Sequence, residues 1–496
     1  MKASTSKAER MSKFEQAVAY DDLRGWMGEA DRLGELKTVP GASWEREIGL
    51  ASEIVGREDD GPALLFDEIP GYAKGLRVLS NVFGGKRRNA TLGFADHLSK
   101  IELSESCYET FVKGAKRIEP ETVSTGPVFE NIFKGEDVDV LKFPTPIWHP
   151  ADGGRYIGTG CYSVTRDPDD GTINVGCYRA MVINSKTISI LMIEGKHGQV
   201  HQKKYFDRGQ PMPLALVVGG DPLIFFAAGT EAPAGVNEFA VAGGMRGRAT
   251  RVVNGPITGL PFPAAAEIVF EGFMHPQDFA QEGPFGEWTG YYAIAEVGGV
   301  HTLSVEAVYH RDDPIILGVP PIGGGSDEMA RYRAVLRSAM IKQNLLAAGV
   351  PEVNGVWCHE FGASRLFNVV SIRQRYMGHS IQAGLIAGQC GAAVYSNRFV
   401  VVVDDDIDVT NLEQVMWAIC TRCDPATAIQ VIHGTRTSPA DPRIPPEQRA
   451  TGNISNSRAV IDACRPFYWK DQFPKMNALS PKDLAEARSK FEYLLR

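Results

Sequence analysis

In the stretch Glu282-Gly-Pro-Phe-Gly-Glu287, two carboxylates are separated by a turn-forming Gly283-Pro284 and Gly286, amid Phe279, Phe285, Trp288, Tyr291 and Tyr292. Burial among such side chains raises a carboxyl pKa, and two neighbouring acids drive each other apart. The result is one proton donor and one charged partner. Surface turns with two Glu are common, so the pair needs a second clue. Asn174-Val-Gly-Cys-Tyr-Arg179 supplies it: Arg179 lies in an apolar, strand-like run and needs a buried anion. On a regular strand Asn174 and Arg179 face opposite sides, unless a bulge at Gly176 changes the register.

Other constellations carry less. His197 and His201 fall one helical turn apart, but Gly198, Gln199 and Val200 between them lack the Glu of a zinc-protease motif. His201 reads as a packing or capping residue, as do His275, His359 and His379. Gly158-Thr-Gly160 is an incomplete dinucleotide fingerprint between strand patterns, and the sequence has neither a P-loop nor a nucleophile elbow. The eight cysteines are scattered, as in a reducing compartment, and Cys420-Thr-Arg-Cys423 lacks the second ligand pair that zinc requires. Met245 to Arg251 is a local basic run that reads as a loop or subunit contact.

The elements that must position these groups fall into an α/β (α+β) architecture. Residues 1–118 read as an N-terminal α/β domain, with helical patterns over Lys7 to Ala19, Trp44 to Gly56 and Phe94 to Lys113 and strands near Leu64 and Leu76. A Pro- and Gly-rich passage then opens a β-rich central domain, 119–325, of barrel or sandwich type. Asp169-Asp170-Gly171 marks a hairpin there, Ile173 to Ile183 reads as one strand run, and Gly198 to Asp207 reads as a helix. Leu214 to Ala228, interrupted by Gly219-Gly220-Asp221-Pro222, reads as two strands and a turn. A linker helix over 326–349, a C-terminal α/β domain over 350–470 with alternating strands and helices, and a tail helix within 471–496 complete the chain.

The composition is ordinary for a globular protein, with 44% hydrophobic and 23% charged residues among 496. A formal charge of −8 opposes non-specific attraction to nucleic acid or anionic lipid. The longest apolar stretch is too short to span a bilayer, and the polar N-terminus lacks a signal-peptide core, so a cytoplasmic location is expected.

Asn174 with Arg179, Lys196-His197, Asn237-Glu238 and Glu282-Gly-Pro-Phe-Gly-Glu287, in that order and at that spacing, resemble the UbiD-like decarboxylases, which use prenylated FMN. Val402-Val403-Asp404-Asp405-Asp406-Ile407-Asp408-Val409-Thr410 also resembles a stretch of that family. The resemblance implies a split-barrel-like central domain and an oligomerising C-terminal one. It implies that Asn174, His197 and Glu238 hold Mn²⁺ or Mg²⁺ against the cofactor phosphate, a donor set rich enough in oxygen for such ions. Gly176, Cys177, Tyr178, Arg179, Lys196 and Thr230 then belong to the cofactor site, with Arg398 as a phosphate-binding cation. A K⁺ ion is implied beside Ala227, Ala228 and Thr230, although Ala228 stands where some relatives have Ser. The implied catalytic set is Glu282, Arg179 and Glu287: Arg179 orients the acids, and Glu287 protonates the carbon that loses CO₂. Trp288, Tyr291 and Tyr292 suggest a flat wall for an aromatic or heteroaromatic acid. A prenylated hydroxybenzoate, or a non-catalytic flavin-binding subunit of a larger carboxylase, are the alternatives. The implied partners are a small aromatic acid with CO₂, a flavin prenyltransferase as cofactor supplier, and further copies of the chain in a homodimer or homohexamer.

Overall fold

A computed structural model describes residues 16–230, 235–294, 297–324, 327–452, 454–477 and 480–494. Most of the helical pattern over Lys7 to Ala19 lies outside the described residues, and 16–20 are irregular.

The central element is a nine-stranded antiparallel sheet. Its order is Arg155–Gly158, Ala180–Asn184, Thr187–Ile190, Val297–His310, Ile268–Glu282, Met212–Val218, Cys161–Arg166, Ile173–Gly176, with Asn131–Lys134 added beside Val297–His310. Arg155–Gly158 and Cys161–Arg166 stand near opposite ends of this order, yet only Thr159 and Gly160 join them. The three steps from Gly158 to Cys161 span roughly 11 Å at most. The sheet must therefore curl until its ends meet, which produces a half-barrel with a seam. The expected hairpin at Asp169-Asp170-Gly171 pairs Arg166 with Ile173 and Thr165 with Asn174.

Ile173 to Ile183 is not one strand. Ile173–Gly176 ends one edge of the sheet and Ala180–Asn184 lies near the other, so Cys177, Tyr178 and Arg179 cross the seam outside any ladder. Alternation along a single strand does not govern Asn174 and Arg179.

Leu214 to Ala228 is a strand followed by a helix, Pro222–Ala228, rather than two strands. The Asp221 carboxylate accepts the Leu223 N–H at 2.8 Å and Pro222 occupies the first turn. Both are helix-start signals that outweigh the apolar run.

Two smaller α/β layers flank the half-barrel. The N-terminal sheet runs Leu36–Pro40, Ala63–Asp67, Arg77–Ser80, Ile315–Gly318. Its last strand comes from the far end of the central segment and pairs in parallel with Arg77–Ser80. The C-terminal sheet runs Val353–Cys358, Phe367–Ile372, Phe399–Asp404, Ser455–Ala463, Ile429–Arg436. Val400 to Val403 are wholly buried in it, as a strand covered on both faces requires. Helices Glu328–Ala347, His379–Gln389 and Leu412–Arg422 pack on this layer, and Pro481–Phe491 forms the tail helix.

Candidate active site

A cavity of about 430 Å³ lies at the seam and is lined in part by residues of the C-terminal layer. The seam crossing lines it from Asn174 to Arg179. Tyr178 is wedged between Gly176 and Gly198, where a Cβ on either glycine would come within 2.6 Å of the phenol oxygen. That oxygen accepts the Gly198 N–H at 2.9 Å, satisfying a donor in the first turn of the helix His197–Asp207. The tyrosine thus fixes the helix start that carries His197 against the strand end that carries Asn174.

Arg179 grips two carboxylates. Its Nη1 donates to Glu287 Oε1 at 2.6 Å and its Nη2 to Glu282 Oε2 at 2.8 Å. Glu282 Oε1 also accepts the Tyr156 hydroxyl at 2.7 Å, and Tyr156 packs on Phe285 with ring centroids 3.9 Å apart. Glu282 is 1% exposed and Glu287 8%. Burial raises the Glu287 pKa, and Arg179 offsets this only in part. Burial opposes the charge on Arg179, but Glu287 and Glu282 outweigh it and raise its pKa. The arrangement leaves one acid tied at both oxygens and another that retains a proton more readily than an exposed glutamate.

Asn174, His197 and Glu238 face the same cavity. Glu238 opens the helix Glu238–Arg246, for which the Asn237 side chain caps the Phe239 N–H at 2.9 Å. Burial pushes the Glu238 pKa up to about 7, and what counters it is backbone N–H donation, from Val175 at 2.7 Å among others, rather than a charged side chain. A carboxylate buried in this way suits a cation, and an amide, an imidazole and a carboxylate make a donor set of the Mn²⁺ or Mg²⁺ kind. Among the described residues no group of three or more His, Cys, Asp or Glu side chains is placed to hold a metal ion, and Cys420 and Cys423 form no disulfide.

Three matches to family models tile the chain. The N-terminal, Rift-related and C-terminal domains of 3-octaprenyl-4-hydroxybenzoate carboxy-lyase match residues 28–102, 121–324 and 332–463. The chain belongs to the UbiD family. It is a carboxy-lyase by class. Solved UbiD-class structures agree over nearly the whole length. The enzyme HmfF from Pelotomaculum thermopropionicum, in complex with FMN, is 27% identical with a TM-score of 0.82, covering 94% of this chain and 99% of its own. Vanillic acid decarboxylase from Sedimentibacter hydroxybenzoicus, in open form, is 26% identical with a TM-score of 0.83, covering 97% and 99%. At 24% identity, the apo 3,4-dihydroxybenzoic acid decarboxylase of Klebsiella pneumoniae shares the fold, with a TM-score of 0.83 over 95% and 100%.

On this UbiD scaffold several expected positions shift. Thr230, Lys196, Cys177 and Gly176 line the cavity. Arg398 does not: its Nη2 is bound to Asp441 Oδ2 at 2.5 Å, outside the lining. Tyr291 is 62% and Tyr292 39% exposed, the latter bonded to Asp152 at 3.0 Å, so neither walls the cavity. Phe279 is likewise exposed. Between Glu287 and Tyr291 the chain makes a turn, with the Gly290 N–H donating to the Glu287 carbonyl at 2.8 Å. The aromatic wall is instead Phe285 and Trp288 with Tyr395 from the C-terminal layer.

The cations that sequence reasoning missed also come from that layer or its linker helix: Arg333, Arg365 and Arg436. Arg365 lies 5.7 Å from the Trp288 ring and 5.1 Å from Tyr395, and Lys196 lies 5.5 Å from Tyr395. Two non-glycine residues in the left-handed region, Ala363 (φ 51°) and Ser364 (φ 56°), precede Arg365. That conformation is rare for residues with a Cβ and marks a loop held by its surroundings. Tyr156 was equally hidden, because its contact with Glu282 spans 126 positions.

Proposed function

We propose that the chain catalyses the reversible, non-oxidative decarboxylation of an aromatic or heteroaromatic carboxylic acid, with prenylated FMN seated in the cavity. The buried clamp of Arg179 on Glu282 and Glu287 carries this reading. The FMN complex of one similar structure and the vanillic acid decarboxylase activity named for another support the flavin and the aromatic substrate.

When bound, prenylated FMN supplies an electron sink for the pair released as the C–C bond to the carboxyl group breaks. Glu287, as the acid, gives its proton to the ring carbon that CO₂ has left and regains one from solvent. In the carboxylation direction the same carboxylate takes the proton. Glu282, tied by Tyr156 and Arg179, holds the guanidinium in place, and Arg179 keeps Glu287 aimed at the cavity. Trp288, Phe285 and Tyr395 offer flat faces to a planar ring.

Asn174, His197 and Glu238 would hold Mn²⁺ or Mg²⁺ at the phosphate end of the flavin, with K⁺ beside Ala227, Ala228 and Thr230. Gly176, Cys177, Tyr178 and Lys196 contribute walls of the same site. The chain depends on a flavin prenyltransferase for its cofactor and works as a homodimer or homohexamer; one similar structure is of an evolved dimeric form. None of the described helices is long and apolar enough to cross a membrane.

The test is co-expression with a flavin prenyltransferase, anaerobic purification with Mn²⁺ and K⁺, and a screen of planar aromatic acids for CO₂ release. Turnover on one of them is the expected result. Absence of flavin uptake contradicts the reading, whereas uptake without turnover on any acid favours a non-catalytic subunit.

A further inference from the structure

His201 is the histidine that the catalytic set leaves unused, one turn after His197 on the same helix. Its Nδ1 lies 3.0 Å from the Thr165 hydroxyl, and that hydroxyl accepts Asn174 Nδ2 at 3.2 Å. Thr165 and Asn174 stand directly opposite each other on the two arms of the hairpin. On the other side of the ring, Nε2 is 3.6 Å from Asp167 Oδ2, which Lys204 also holds at 2.6 Å. Asn174, Thr165, Asp167 and His201 are all buried, none more than 8% exposed.

The directions of donation follow from the partners. A carboxylate facing Nε2 places the proton of the neutral ring on that nitrogen, which leaves Nδ1 to accept from the Thr165 hydroxyl. With its one proton given to His201, the Thr165 oxygen can only accept from Asn174, from Nδ2. Burial lowers the His201 pKa and keeps the ring neutral, able to accept. With its nitrogen tied to Thr165, the Asn174 amide leaves its oxygen, the only end that can ligate a cation, out of that bond, and the same side chain also meets the Tyr178 hydroxyl. Were the amide reversed, Thr165 would have to donate to Asn174 as well as to His201, and it has one proton.

We propose that His201 is a positioning residue for the divalent ion, acting through Thr165 to set which end of the Asn174 amide faces the cavity. The inference rests on the reading of Asn174 as a metal ligand. The same ring anchors the helix that presents His197, so a single buried imidazole aligns two ligands that come from different elements. Outer partners of this kind tune metal affinity by about 10–100-fold.

The test titrates Mn²⁺ onto the full-length chain in the presence of FMN and reads the bound ion by electron paramagnetic resonance. His201→Leu, which removes the acceptor, is expected to weaken Mn²⁺ binding by about tenfold or more. His201→Asn, whose Oδ1 stands near the place of Nδ1, should stay within about threefold of the unmodified chain, a rescue that a purely structural role would not give. Thr165→Val should match His201→Leu, and the double variant should lose nothing further, because both break one chain. Unchanged Mn²⁺ affinity in a folded His201→Leu overturns the proposal. Should that variant not fold, unchanged affinity in Thr165→Val overturns it instead. Asn174→Ala separates the two levels: if it binds Mn²⁺ normally, or the unmodified chain binds none, the ligand reading itself fails and the proposal with it.

Discussion

At the scale of single residues, the site depends on how one guanidinium is shared. Arg179 binds Glu282 and Glu287, yet the two acids differ in what else they touch. Glu282 has Tyr156 on its second oxygen, and removing that hydroxyl lets the carboxylate and the arginine drift together. Tyr156→Phe is expected to lower kcat by about tenfold, about 1.4 kcal/mol in the barrier, while flavin uptake is unchanged. Equal kcat in the variant would remove Tyr156 from the account.

Glu287 carries a pH consequence. Its folded pKa is raised above the ordinary value by burial, so the acid form persists beyond the usual carboxyl range. Proton donation needs that form, and the decarboxylation rate should therefore fall as pH rises through the raised pKa. A kcat profile that climbs steadily over the same interval argues against Glu287 as the donor. Glu282 and Glu287 were legible as chemistry because they share one short stretch rich in aromatic residues, and Arg179 because a cation in an apolar run needs a buried anion, although it stands 103 and 108 positions from them. Tyr156 and Arg365 were not, since nothing in their own surroundings in the sequence marks them as partners of the site.

At the scale of elements, the seam of the half-barrel decides the geometry. Its strands and the hairpin at Asp169-Asp170-Gly171 could be read from alternation and turn chemistry. The break after Gly176 could not, because Ile173 to Ile183 is apolar apart from Asn174 and Arg179 and period-2 patterning does not show where a strand leaves its ladder. Tyr178 holds this junction by filling the space above Gly176 and Gly198. Gly198→Ala would push a methyl against its ring and should cost about 1–3 kcal/mol of stability. A urea unfolding midpoint equal to that of the unmodified chain would show that the tyrosine is free to move aside. The helix Pro222–Ala228 teaches the converse: Asp221 and Pro222 announced a helix start, and the apolar run masked it.

At the scale of the molecule, the layers are tied by groups distant in sequence. The Glu328 carboxylate, at the head of the helix Glu328–Ala347, accepts the backbone N–H groups of Asn81, Val82 and Phe83, which follow the N-terminal strand Arg77–Ser80. Glu328→Ala leaves three buried donors without this acceptor. At about 1–3 kcal/mol for each unsatisfied group, the loss should exceed about 3 kcal/mol and appear as a marked fall in the denaturation midpoint. A midpoint unchanged by the substitution would mean that these donors find other partners. The three-part organisation could be anticipated from composition and alternation. The return of Ile315–Gly318 to the N-terminal sheet and the lining of the cavity by Tyr395 and Arg365 could not, because strand order in space is not written in local periodicity.

The central claim is that the buried Glu287 delivers the proton in a flavin-loaded cavity. The most direct measurement compares Glu287→Gln with the unmodified chain, both co-expressed with a flavin prenyltransferase, for flavin absorbance and for CO₂ release from a substrate acid. Normal absorbance with CO₂ release lost is the predicted result; near-normal CO₂ release from the loaded variant would contradict it.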